Sequence, residues 1–253
     1  MRSDVATARW KARALHGAAW IAVYQGDPGA SKVLMEQSVP LYREVGDREG
    51  VAIGLVHLGT LAVLHQRDDI PLRAVLEELK PGLENRGTLA YLLMLEGLVA
   101  LGRGDLDHSA ALHVEALGLL RKIGDTQGVI SYLIHHGGIA LARGDYEATT
   151  TLLREALRLA RETDNKVFIQ LCLHGLACVA ALKQPIRAAR LWGAVEGMKE
   201  AYGVHLTPIT RSVTDYEGRL AGVRSHLQEE AFAVAWAEGK AMSLEGAIEY
   251  ALS

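Results

Sequence analysis

Between Tyr146 and Glu162 the apolar positions Leu152, Leu153, Ala156, Leu157, Leu159 and Ala160 fall three and four residues apart. That is the spacing of one buried helix face. The run opens on Gly144-Asp145 and closes on a second polar turn at Thr163 to Asn165. The same arrangement occurs twice earlier, in "LGRGDLDHSAALHVEALGLLRKIGDTQ" and in "VYQGDPGASKVLMEQSVPLYREVGDRE". No stretch alternates with the two-residue period of a strand, so the pattern predicts helices throughout. First helices are expected near 5–25, 47–65, 87–103, 126–143 and 165–183, and their partners near 28–44, 70–84, 106–122, 146–162 and 185–201.

The turns set the period. Gly26, Gly104 and Gly144 lie 78 and 40 residues apart, and Gly46 and Gly124 are again 78 apart. The unit is therefore about 39 to 40 residues, with two helices and two turns. Gly accepts the left-handed conformation that ends a helix, and the Asp after it caps the next helix at its positive dipole end. The middle copy is degenerate, with Gln66 to Asp69 in place of one turn and a stretch near Asn85 in place of the other. In the fifth copy Gln184 stands in the Gly place. Pro28, Pro71 and Pro185 follow turns, where a missing N–H is harmless. Pro40 falls inside a helix, where a kink or break is expected.

Seven residues before the turn stand Ala19, Gly97, Gly137 and Ala177, all small, as close helix approach requires. Paired helices of this kind cannot bury their faces alone, and stacking them predicts a right-handed α-solenoid of about five hairpins. Residues 1–184 would hold the repeats. Residues 185–253 would hold the last repeat helix and a helical cap, with Trp192 and Trp236 sealing the open end. Thr207-Pro208, Glu229-Glu230 and Ser243 mark three helix starts in this tail.

The Gly-Asp turns and the small positions resemble tetratricopeptide repeats of a long variety. The tail wording, "RAARLWGAVEGMKEAYGVHLTP" and then "EEAFAVAWAEGKAMSLEGAIEYAL", resembles the end of the repeat region in large bacterial LuxR-type regulators and in relatives with an adenylyl cyclase domain. Ala188, Ala189, Arg190, Leu191, Gly193, Ala194, Tyr202, Trp236, Ala237, Glu238 and Gly239 carry the match. The resemblance implies a regulatory module that senses an effector and works with a signalling ATPase and a helix-turn-helix domain. The chain departs from such regulators in lacking a G-x-x-x-x-G-K-[ST] loop, since "AEGKAMS" has only Gly239-Lys240 and follows no strand. The sequence ends at Ser253, about where a DNA-binding domain begins in such relatives. ATPase and DNA-binding activity would then belong to other domains, and the chain would be an excised, truncated or standalone module.

Composition narrows the chemistry. A formal charge of -3 gives no basic excess for a phosphate backbone, so direct nucleic-acid contact is not expected. No apolar run reaches membrane-spanning length and no signal-peptide pattern opens the chain, which points to the cytoplasm. Cys172 and Cys178 are expected to be buried, reduced thiols. There is no G-x-S-x-G elbow, no His pair at metal-ligand spacing and no pair of opposed carboxylates, so neither enzyme, metal nor cofactor is expected.

By phase, His16, Trp20, Tyr24, His57, Met94, Leu98, His135 and His174 sit where tetratricopeptide helices face their concave groove. They could bind a peptide, a protein or a small effector there. The other reading of the histidines is imidazoles bonded to neighbouring side chains, and of the aromatic residues, ordinary core. Self-association into a homodimer without any effector is the alternative function.

Overall fold

The computed structural model describes residues 2–64, 85–206 and 208–253, except for a few side chains within those stretches. The described residues form thirteen helices and no strand. The protein is all-α, in two compact units, 1–125 and 126–253.

The first unit contains α1 (Arg2–Tyr24), α2 (Pro28–Glu44), α3 (Arg48–Leu64), α4 (Arg86–Gly102) and α5 (Leu106–Ile123). The second contains α6 (Thr126–Ala142), α7 (Tyr146–Glu162), α8 (Lys166–Ala180) and α9 (Pro185–Tyr202). It continues with α10 (Pro208–Val213), α11 (Tyr216–His226), α12 (Glu229–Lys240) and α13 (Leu244–Leu252). The nine helices α1 to α9 begin and end within three residues of the expected ranges. The partner helix expected at 70–84, the turn at Gln66 to Asp69 and Pro71 lie outside the described residues.

Each Gly-Asp turn closes two helices. Gly26, Gly104 and Gly144 have φ of 78°, 80° and 76°. The backbone N–H of the following Asp reaches back five residues in each case, from Asp27 to Ala22 O at 2.8 Å and from Asp105 to Ala100 O and Asp145 to Ala140 O, each at 2.9 Å. This bond satisfies a carbonyl that the helix end would leave orphaned. The same Asp side chains accept from the next helix, Asp27 from Ala30 N at 2.8 Å, Asp105 from His108 N at 3.2 Å and Asp145 from Ala148 N at 3.0 Å. Asp145→Ala removes that cap and is expected to destabilise the second unit by about 1 kcal/mol in urea unfolding, with the helical far-ultraviolet spectrum retained.

The degenerate turns reach the same end by other residues. Asn85 caps α4, accepting from Gly87 N at 2.8 Å and Thr88 N at 3.2 Å. Asp164, at φ 51°, takes the left-handed place before Asn165, which caps α8 by accepting from Phe168 N at 3.1 Å. Gln184 does not take the Gly place: its φ is -135° and it is the first flanking residue of α9. Pro185 follows it, and a proline pushes the residue before it toward extended backbone. Helix α2 runs through Pro40 unbroken. Both Pro40 and Glu36, whose carbonyl loses its partner, are exposed, so water can replace the missing bond.

From α1 to α5 and from α6 to α9 each helix packs against the next, and α6 packs with α8 as well. The small positions sit at the helix crossings. Ala19 packs with Met35, Gly97 lies under the His113 ring, and a Cβ at Gly137 would stand 3.1 Å from Leu153 Cδ2. One turn into the second helices, Ser31, Ser109 and Thr149 are fully buried, four residues after each capping Asp. The tail packs on α9, with α11, α12 and α13 all touching it. Glu229 starts α12, and Ser243 caps α13 by accepting from Gly246 N at 3.1 Å. The last repeat helix and the tail, residues 185–253, lie inside the second unit.

Candidate functional site

Three of the residues singled out by phase meet in the first unit. His16 and Trp20 are one turn apart on α1, and Trp20 Nε1 donates to His16 Nε2 at 3.1 Å. An indole N–H can only donate, so Nε2 is the bare nitrogen of His16 and the neutral ring carries its proton on Nδ1. That Nδ1 lies 3.2 Å from the Tyr42 hydroxyl of α2, so it donates there. His57 of α3 shares a 2.8 Å hydrogen bond between its Nε2 and Ser31 Oγ of α2, and the Trp20 ring meets it edge-on at 4.6 Å. Two imidazoles, an indole, a phenol and a hydroxyl thus tie α1, α2 and α3 together.

The cluster is built for neutral rings. His57 is 3% exposed, and among the described residues its Nδ1 has no hydrogen-bond partner. A charged imidazolium would need an acceptor at both nitrogens. Burial first, and then the neighbouring His16, bring its pKa down to about 4. Burial lowers that of His16 as well.

The second unit repeats the motif with other atoms. His174 and Cys178 occupy on α8 the phase that His16 and Trp20 occupy on α1, and Cys178 Sγ lies 3.6 Å from His174 Nε2. Thr214, in the turn after α10, donates its one hydroxyl proton to Thr210 O at 2.7 Å. It therefore accepts from His174 Nε2–H at 2.8 Å. Tyr216 sets its ring edge-on to both His174 and Trp192, at 5.4 and 5.5 Å. Arg219 fastens the segment, donating from Nε to Thr214 O at 2.8 Å and from Nη1 to Cys178 O at 3.3 Å.

A Cys beside a His invites comparison with a nucleophile and its base, but the electrostatics run the other way. Burial, then the Arg211 and Arg219 charges, hold His174 down at about 3. Burial pushes the Cys178 thiol up to about 12 and also raises that of Cys172. A reactive cysteine needs an exposed, electropositive setting that favours thiolate. Here both partners are neutral at pH 7 and buried, so the pair packs helices together.

The remaining candidates are scattered. Met94 and Leu98 are buried in α4, at 1% and 9% exposure, and contribute apolar packing. His135 is half-buried on α6. The side chain of Tyr24 lies outside the described residues. Trp192 is 1% exposed in the body of α9, and Trp236, half-buried on α12, packs by Phe232 at 5.5 Å. Reading the sequence by phase missed Ser31, Tyr42, Thr214 and Arg219. Ser31 carries a usable signal, the small residue four after each cap, whereas Thr214 and Arg219 belong to an aperiodic tail. Among the described residues no three His, Cys, Asp or Glu side chains are grouped to hold a metal ion, and no described helix is long and apolar enough to cross a membrane.

No protein-family model matches the chain, and no curated protein matches it either.

Proposed function

We propose that the chain is a tetratricopeptide-like right-handed solenoid, the sensing and interaction module of a LuxR-type regulator, which binds a peptide, a protein or a small effector on the face of its first helices. The observation that carries this reading is the recurrent turn: left-handed Gly26, Gly104 and Gly144, each followed by an Asp that serves both helices. The tail resemblance, centred on Arg190 to Ala194 and Trp236 to Gly239, supports the assignment to that class of regulator. Of the candidate contact residues, His16, Trp20 and His135 are half-buried and remain within reach of a ligand. His57 and His174 act behind them as supports. A ligand that prefers one curvature of the helical stack would shift the population toward it and pass that state to ATPase and DNA-binding domains.

Native mass spectrometry of the purified chain tests the reading. A stoichiometric partner or adduct is expected, with binding weakened at least about tenfold in Trp20→Ala. An identified partner whose affinity is unchanged in both His16→Ala and Trp20→Ala would overturn the role given to this face. Self-association is a second reading, favoured by Trp10 and Ile21. They are 67% and 58% exposed and lie eleven residues apart, on one side of α1. A monomer at all concentrations in analytical ultracentrifugation would end it.

A further inference from the structure

Three stretches far apart in sequence converge on a cavity of about 390 Å³ in the second unit. They are the start of α9, Leu227 in the connection from α11 to α12, and Tyr250 of α13. The volume falls within the range of small-molecule sites. Pro185, Ile186, Leu227 and Tyr250 give it apolar walls, and Ile186 keeps 47% of its surface exposed.

The charged groups of the lining are two cations, Arg187 and Arg190, with no carboxylate among them. Arg190 is already matched, since its Nε donates to Glu238 Oε2 at 2.6 Å. Arg187 is held by neutral groups only. Its Nη2 donates to Tyr250 O at 2.8 Å and Ala251 O at 3.1 Å, its Nη1 to Ser253 Oγ at 3.3 Å, and its guanidinium lies 4.8 Å from the Tyr250 ring centroid. Among the described residues no carboxylate pairs with it. A guanidinium has five N–H groups, and these contacts leave some of them free. The side chain is therefore fixed in place, with donors to spare, beside an open apolar wall.

We propose that this cavity binds a small organic anion, a carboxylate on a compact apolar body. The body lies against Ile186, Leu227 and the Tyr250 ring, and the carboxylate takes the free donors of Arg187. The charge-assisted bond supplies orientation, and the apolar contact supplies most of the affinity. The site is separate from the His16 and His57 cluster and does not depend on the regulatory reading.

Octanoate is the probe, with octylammonium as the same apolar body carrying the opposite charge. Calorimetric titration of the whole chain is expected to show octanoate binding at least about tenfold tighter than octylammonium. Amide shifts in the nuclear magnetic resonance spectrum should move at Leu227 and Tyr250. Ile186→Glu puts an anion on an exposed position of the wall and should weaken octanoate at least about tenfold without changing the melting temperature. Arg187→Gln should do the same and abolish the preference for the anion. Equal binding of the two probes, octanoate binding unchanged in Ile186→Glu, or no octanoate binding at millimolar concentration would each overturn the proposal.

Discussion

Gly239→Ala is expected to destabilise the second unit by about 3 kcal/mol, because the added methyl has nowhere to go. Helices α9 and α12 approach so closely that a Cβ at Gly239 would run into the backbone of Arg190. The crossing is small on both sides. A Cβ at Gly193 would meet the Trp236 carbonyl and come within 3.1 Å of Lys240 N, and one at Gly197 would stand 2.7 Å from Lys240 O. A flexible side chain can rotate away from an added methyl, but a peptide unit inside a helix cannot. Relief therefore requires the two helices to separate, breaking the packing beside it. Gly222, on α11 of the same unit, is the control, since nothing stands within 4 Å of its would-be Cβ. Gly222→Ala should stabilise by about 0.5 to 1 kcal/mol, the ordinary helix preference for alanine. Thermal unfolding followed by circular dichroism separates the two. A change of less than about 2 °C in Gly239→Ala would mean that the helices do not approach this closely.

That crossing also shows which parts of the protein were legible in its sequence. The Gly-Asp turns were, because a left-handed helix end and an N-cap each demand one residue type at one place. Gly193 and Gly239 were visible only as letters of the tail, and nothing one-dimensional says that residues 46 apart share a crossing. Trp192 illustrates the same limit. It was read as part of an end seal, yet it lies eight residues after Gln184, the phase that Met35, His113 and Leu153 hold after their caps. Its ring also meets Tyr216 of the tail edge-on at 5.5 Å, so one residue serves both the recurring phase and the packing of the tail. Helix α11 was missed because the tail has no period to extrapolate. Pro40 was judged on its lost hydrogen bond alone, whereas its exposed side decides the outcome. The histidine phases singled out His16, Trp20 and His57, but could not show that Ser31 and Tyr42 would meet them.

Those histidines lead to the other large effect, a loss of stability in mild acid. His57 is held at about 4 and His174 at about 3, while an unfolded imidazole binds its proton near its ordinary value of about 6.5. Between these limits the unfolded chain binds more protons than the folded one, so stability falls as pH falls. The contribution is fully present above about pH 6.5. It is lost as pH drops through the window, down to about 4 for His57 and about 3 for His174. One pKa unit corresponds to about 1.4 kcal/mol, so two units into the window each ring accounts for roughly 2 to 3 kcal/mol. His16, lowered by burial, acts in the same direction. Urea unfolding followed by circular dichroism should therefore give midpoints that decline steeply between about pH 6.5 and 4.5, above the range where most carboxylates titrate. His57→Gln and His174→Gln can still hydrogen-bond to Ser31 and Thr214 but cannot take up a proton. Each should be less stable than the parent at pH 7, where the imidazole packing against Trp20 or Tyr216 is lost, and should decline less on acidification. If both variants fall as steeply as the parent, the acid sensitivity comes from other groups, and these buried rings do not hold the helices in the neutral form that their contacts require.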